Sequence, residues 1–231
     1  TNSFRLNRIA HAFILTGSRG VGKTSTARII AKALNCEAIE KKGSPTIDPC
    51  GKCSSCISIT ESRHIDVIEM DAASRTGVSD VRDIIENVDY KTVSARYKIY
   101  IIDEVHMLSN SAFNALLKTL EEPPQHVKFI FATTEINKIP TTVISRCQRF
   151  DLTRIENSII SSHLEKICNQ EGVNFSLSAL SLISNSSDGS LRDALSILDQ
   201  AIVHGEGIIK PESIRDMLGI VNQNLSLKLL E

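Results

Sequence analysis

Tryptophan is absent from this 231-residue chain and aromatic residues make up only 4% of it. A groove that grips single strands by stacking bases on side chains is therefore not expected. Neither sign of charge dominates: 26 Lys and Arg against 27 Asp and Glu leave a net −1. No overall basic field draws nucleic acid, so any such contact must come from a local patch. No run approaches the ~18 apolar residues of a membrane-spanning helix, and Thr1-Asn2-Ser3-Phe4 lacks the charged-then-apolar layout of a secretory signal. A cytoplasmic location is the expectation, and the missing initiating Met points to a fragment. The six cysteines are too unevenly placed for a disulfide framework.

What is present begins with Gly17-Ser18-Arg19-Gly20-Val21-Gly22-Lys23-Thr24, the Gly-x4-Gly-Lys-[Ser/Thr] pattern of a phosphate-binding loop. Its glycines permit backbone angles and a close approach that a Cβ would forbid. Backbone N–H groups then wrap the β- and γ-phosphates of a nucleotide. Lys23 is placed to neutralise their oxygens, Thr24 to give a hydroxyl to Mg2+, and the following helix, from Ser25 to Leu34, to add its positive dipole end. The apolar run Ala12-Phe13-Ile14-Leu15 reads as a buried strand entering the loop.

Strand-like and helical patterns alternate from there. Ile65–Met70, Lys98–Ile102, Lys128–Ala132 and Gln148–Leu152 read as strands. Val81, Ile84, Ile85 and Val88 have helical spacing; Ser111 to Glu121 reads as a helix ended by Pro123-Pro124, and a short helix lies near Thr141 to Arg146. The alternation implies an α/β domain over residues 1–152 with a mainly parallel sheet between helices. From Thr153, where Thr153-x-x-Glu156 looks like a capping box, only helices are expected: about Glu156 to Glu171, Ser178 to Asn185, Leu191 to Val203, Pro211 to Leu218, and one starting near Asn224. Residues 153–231 thus form a second, all-α domain, with Ser184 to Ser187 read as an inter-helix turn.

Asp103-Glu104 follows directly on an apolar strand, which puts both carboxylates at the carboxyl edge of the sheet, where open α/β sheets bind ligands. Asp103 is placed to hold Mg2+ through its waters, and Glu104 to orient or deprotonate a water that attacks the γ-phosphate. Asp103-Glu104-Val105-His106 also matches the DExH box of helicases, which carry a second phosphate-loop-like lobe. A nucleotide kinase is a third reading, though an acidic pair at a strand end suits water activation better.

Cys36, Cys50, Cys53 and Cys56 supply four thiolates, with two CxxC spacings sharing Cys53. Tetrahedral Zn2+ is the best match; an iron–sulfur cluster is the rival, and unliganded cysteines are the third option. Four thiolates leave no open position, so such a site is structural. Cys147 and Cys168 read as buried apolar thiols.

Longer runs are more specific. Asp103-Glu104-Val105-His106-Met107-Leu108, Phe113 through Pro124, Asp71-Ala72-Ala73-Ser74-Arg75-Thr76, Ser145-Arg146-Cys147 and Gly189-Ser190-Leu191-Arg192-Asp193-Ala194-Leu195 closely resemble the gamma/tau subunits of the bacterial DNA polymerase III clamp loader. These are AAA+ ATPases that open a ring-shaped sliding clamp and place it on primer–template DNA. The resemblance implies an AAA+ P-loop NTPase domain with a five-stranded parallel sheet, a zinc module inserted at about residues 36–60, and a small all-α lid. It implies ATP as the nucleotide, held by residues 17 to 25 (Gly17 through Ser25). It also implies Thr134 at the sensor-1 position (Thr133 if the register slips by one), Arg146 as an arginine finger for a neighbour's ATP, and Arg192 as sensor 2. Ser190 as N-cap puts Arg192 in a first helical turn, where it opposes the helix dipole, a cost that an anionic ligand explains.

Other clamp-loader subunits in a hetero-oligomeric ring, the sliding clamp and primer–template DNA are the implied partners. Arg75 and Arg82 are candidates for DNA backbone contact, and the helix around Ser111 to Lys118 for the clamp. The opposing expectation is a zinc-containing DNA-binding scaffold whose ATP site is idle.

Overall fold

The structure, a computed structural model, describes residues 9–38, 44–74, 78–205 and 207–219. The expected helix near Asn224 and Arg75 lie outside the described residues.

β1 (Ala12–Thr16) leads into α1 (Lys23–Asn35), followed by α2 (Ser54–Thr60), β2 (Val67–Asp71), α3 (Val78–Val88) and β3 (Lys98–Asp103). α4 (Asn110–Glu121), β4 (Val127–Thr133), α5 (Thr141–Ile144) and β5 (Gln148–Asp151) complete the first unit. The five strands are parallel in the order β2-β3-β4-β1-β5. All seven residues of β4 and all five of β1 are buried, as expected where helices cover both faces of a parallel sheet. The side chains sort by the two-residue strand period. Ile14, Tyr100, Ile102, Phe129 and Phe131 pack with Val81 and Ile84 of α3 and Phe113, Leu116 and Leu120 of α4. Phe13, Leu15, Ile99, Ile101, Ile130 and Ala132 pack with Ala27, Ala31 and Leu34 of α1 and with Ile59 of α2. Two cores thus lie on opposite faces of one sheet.

β5, by contrast, is an edge strand with all four residues exposed, and Arg149 pairs with Asp151 along it at 2.7 Å.

Among the described residues, the second unit comprises 153–205 and 207–219 together with Ser18–Val21. Its described helices are α6 (Asn157–Glu171), α7 (Leu177–Ser186), α8 (Leu191–His204) and α9 (Pro211–Leu218), and they enclose a core of their own that includes Ile160, Leu164, Leu180, Ile183, Leu198 and Ile214. This unit departs from the sequence-based expectation in three respects. The unit is not all-α, because Asn174–Phe175 (β6) and Ile208–Ile209 (β7) form a short parallel ladder. The Thr153 capping box does not form; Glu156 is the N-cap and makes no side-chain cap bond. Ser184 to Ser186 belong to α7, not to a turn. Ser184 and Ser187 are buried because each hydroxyl donates to a backbone carbonyl three residues back, which removes the cost of hiding it.

One buried carboxylate organises the lower edge of the sheet. Asp66, 1% exposed, accepts the backbone N–H groups of Val93, Ser94 and Ala95 at 2.8–2.9 Å and the Ser94 hydroxyl at 3.2 Å. Burial alone would raise its pKa, but these donors outweigh burial and lower it. The unfolded chain therefore takes up the proton first as pH falls, and Asp66 contributes stability that is full above the ordinary carboxylate range and is lost below it. Asp66→Asn is expected to cost about 1–3 kcal/mol at pH 7 and to flatten the acid limb of stability, checked by urea unfolding at pH 7, 5 and 4.

Candidate active site

The phosphate loop leaves the end of β1 and ends at Gly22, which is left-handed at φ 94° and serves as the N-cap of α1 without a side-chain bond. A left-handed residue here favours glycine. Gly20 is held equally tightly: at φ +78° its added Cβ would lie 1.9 Å from Ser190 Oγ, and its carbonyl accepts the N–H of Leu191. Ser18, Arg19 and Ser25 are exposed and Val21 is buried. α1 is anchored over the sheet by Arg28, which makes a two-pronged contact with Glu69 of β2 at 2.7 and 2.9 Å.

Lys23, at the first turn of α1, is 6% exposed, and its Nζ donates to the Gly17 carbonyl at 3.1 Å. Burial lowers its pKa, and the nearby Glu104 and Asp103 carboxylates oppose that shift. The hydroxyl of Thr24 donates to Asp103 Oδ2, joining the loop to the end of β3. Asp103 Oδ1 in turn accepts the N–H of Glu104 at 2.9 Å.

Glu104 is left-handed at φ 45°, a conformation uncommon for a residue with a side chain and frequent at functional sites. Its Oε2 accepts from the Thr134 N–H at 3.2 Å and the Thr134 hydroxyl at 3.0 Å. Thr134 is thus the threonine that touches Glu104. Thr133, fully buried at the end of β4, bonds to His106 Nδ1 at 3.0 Å instead. His106 is the residue that sequence reasoning missed. It was legible only as part of a DExH match, whereas the fold sets its ring 3.3 Å from Glu104 and 3.4 Å from Glu135.

Lys23, Thr24, Asp103, Glu104 and Thr134 therefore form one group at the carboxyl edge of the sheet. Arg146 is not bonded to it. Its guanidinium donates to the Thr142 carbonyl at 2.7 Å and pairs with Glu121 at 2.6 Å on an exposed surface. Arg192 is exposed in the first turn of α8, where Ser190 caps the helix by accepting the Asp193 N–H at 3.2 Å. Arg82 is exposed on α3.

The cysteine cluster is a separate site. The sulfurs of Cys36, Cys50, Cys53 and Cys56 all lie within 4.8 Å of one another. Tetrahedral coordination at about 2.3 Å would set them about 3.8 Å apart, so the donor set fits a single four-thiolate ion. Backbone N–H groups aim at the sulfurs: those of Lys52 and Cys53 at Cys50, that of Cys50 at Cys36, and those of Glu37 and Cys56 at Cys53. Donors of this kind stabilise thiolates, and those on Cys50 lower its pKa to about 6, while burial pushes Cys56 up. Burial also raises Cys147, to about 12, and Cys168, in keeping with apolar thiols.

Comparison with known proteins gives a consistent picture. Residues 1–156 match the family model of the DNA polymerase III, delta subunit, and residues 159–207 that of the DNA polymerase III clamp loader subunit, ATPase lid domain. DNA polymerase III subunit tau of Salmonella typhimurium (strain LT2) is 50% identical over 230 residues, covering 100% of this chain and 35% of that protein. The tau subunit of Escherichia coli (strain K12) is 49% identical over 230 residues, with the same coverage of each. DNA polymerase III subunit gamma of Buchnera aphidicola subsp. Baizongia pistaciae is 47% identical over 231 residues, covering 100% of this chain and 61% of its own length. The chain thus spans about a third, 35%, of the length of the tau subunits it matches. Among solved structures, the Thermotoga maritima RuvB Holliday junction branch migration motor superposes with a TM-score of 0.64 at 15% identity, over 96% of this chain and 65% of that one. At that identity the likeness speaks for the fold alone. The fold is AAA+, a five-stranded parallel sheet followed by a helical lid unit. The second lobe that a DExH helicase requires is not found among the described residues, whose second unit is helical apart from the β6–β7 ladder.

Proposed function

The chain belongs to the family of DNA polymerase III clamp-loader subunits, and on that premise we propose that it is an ATP-hydrolysing motor subunit of the replication clamp loader. The observation that carries this reading is the bond between the Thr24 hydroxyl and Asp103, which joins the phosphate loop to the acidic pair. Lys23 and the N–H groups of residues 17 to 25 bind the triphosphate. Thr24 and Asp103 fit an Mg2+ ion, which when bound neutralises charge on the β- and γ-oxygens. Glu104 orients the attacking water and takes its proton, and Thr134 fixes that carboxylate. The sensor-2 role of Arg192 rests on the resemblance of its motif. The partners are the other subunits of a ring, the sliding clamp and primer–template DNA, which sets the working place in the cytoplasm.

Arg146 completes the site of a neighbouring subunit. Its exposure and its lack of any bond to this chain's own phosphate loop support that role. A finger supplied in trans is worth about 10³ to 10⁵ in rate, or roughly 4–7 kcal/mol of barrier. The isolated subunit is therefore expected to hydrolyse ATP hardly at all. Assembled with its partners, clamp and primed DNA, the full-length subunit should load clamps and lose that activity with Lys23→Ala. Arg146→Ala should cost at least about a thousandfold in turnover at the neighbouring site while leaving ATP binding intact. Clamp loading that survives Lys23→Ala would sink the motor reading and leave the idle-site scaffold.

The four thiolates hold structural Zn2+. Binding worth on the order of 10 kcal/mol folds an insertion whose only described helix, α2, is seven residues long. Purified protein should carry one zinc per chain by atomic absorption. Cys53→Ser should lose the zinc and the amide protection of residues 50 to 60 in hydrogen exchange, with the sheet still protected. Iron in place of zinc would refute the assignment.

A further inference from the structure

The side chain of His106 is 6% exposed and sits between two carboxylates, one of them Glu104. Three contacts converge on a single oxygen of Glu104: Oε2 meets the Thr134 N–H at 3.2 Å, the Thr134 hydroxyl at 3.0 Å and His106 Nδ1 at 3.3 Å. Nδ1 also lies 3.0 Å from the Thr133 hydroxyl, and Nε2 lies 3.4 Å from Glu135, itself paired with Lys138 at 2.9 Å.

Thr133 Oγ1 accepts the N–H of Glu135 at 3.0 Å and, as a hydroxyl, can still either donate to Nδ1 or accept from it, so the two stay bonded in both neutral tautomers. The buried ring is thereby held by Thr133 while it stands against Glu104 Oε2, and it limits where that carboxylate can swing.

We propose that His106 is a positioning residue for Glu104: its buried ring, held by Thr133, keeps the carboxylate on the two donors of Thr134. The groups that face the ring are Glu104 from the end of β3, Thr133 from the end of β4, and Glu135, backed by Lys138, from the following turn. The inference rests on the ATPase reading above and assigns a new residue to it.

The test is steady-state ATP hydrolysis by the full-length subunit assembled with its partners, clamp and primed DNA. His106→Asn keeps a hydrogen-bonding group near the Nδ1 position; His106→Ala removes it. At pH 8 the Ala variant should lose roughly tenfold or more in kcat with KM for ATP unchanged, and Asn should restore most of the loss. An Ala variant with wild-type kcat, an Asn variant no better than Ala, or a loss that falls on KM and not on kcat would overturn the proposal. Lys23→Ala in the same assembly separates the two layers: hydrolysis that survives it removes the ATPase reading itself. Loss of hydrolysis in Lys23→Ala, together with histidine variants that behave as wild type, removes only the role of His106.

Discussion

A hydroxyl and a carboxylate that are 79 positions apart in the chain, those of Thr24 and Asp103, must meet for this site to exist. The sheet makes that meeting possible. β1 and β3 are not neighbours; β4 lies between them. All three strands run parallel, so the loops that leave them emerge at the same edge, and the bond reaches across the end of β4. The residues just past β4 then contribute as well, because Thr134 lies next to Glu104. Parallel order thus converts three separate strand ends into one polar cluster. The cost is that every such strand must be covered on both sides, and the two apolar cores meet it.

The cluster sets one cation against two carboxylates. Lys23 is nearly buried, which disfavours its cation, yet two carboxylates nearby favour it. Glu104 adopts a left-handed backbone conformation and spends two hydrogen bonds on Thr134. Strain and buried charge together in one place mark a functional site more readily than a packing solution.

Much of this was legible in the chain because the informative residues are local. Residues 17 to 24 form a contiguous pattern whose glycines have steric reasons, and Asp103-Glu104 ends an apolar run. The period-two sorting of side chains between two cores follows from strands such as Ile99 to Ile102 and Phe129 to Ala132. Four cysteines with close spacing needed only the fold to bring Cys36 alongside. What escaped was set by tertiary contact. Thr153-x-x-Glu156 has capping-box letters, but the helix begins one residue after Glu156 and no side-chain bond forms. Ser184 and Ser187 look like turn residues, but buried hydroxyls that bond back to their own helix made them core. The β6–β7 ladder is two residues long on each side and leaves no periodic trace. His106 was legible only within the DExH letters, because two of its three partners, Thr133 and Glu135, come from the end of β4.

The helical unit owns a core with no residue in common with the two that clasp the sheet. Cooperative melting depends on shared burial, so this chain has grounds for two calorimetric transitions instead of one. A single melting temperature would then average over two processes. Any substitution should be judged by which endotherm it displaces.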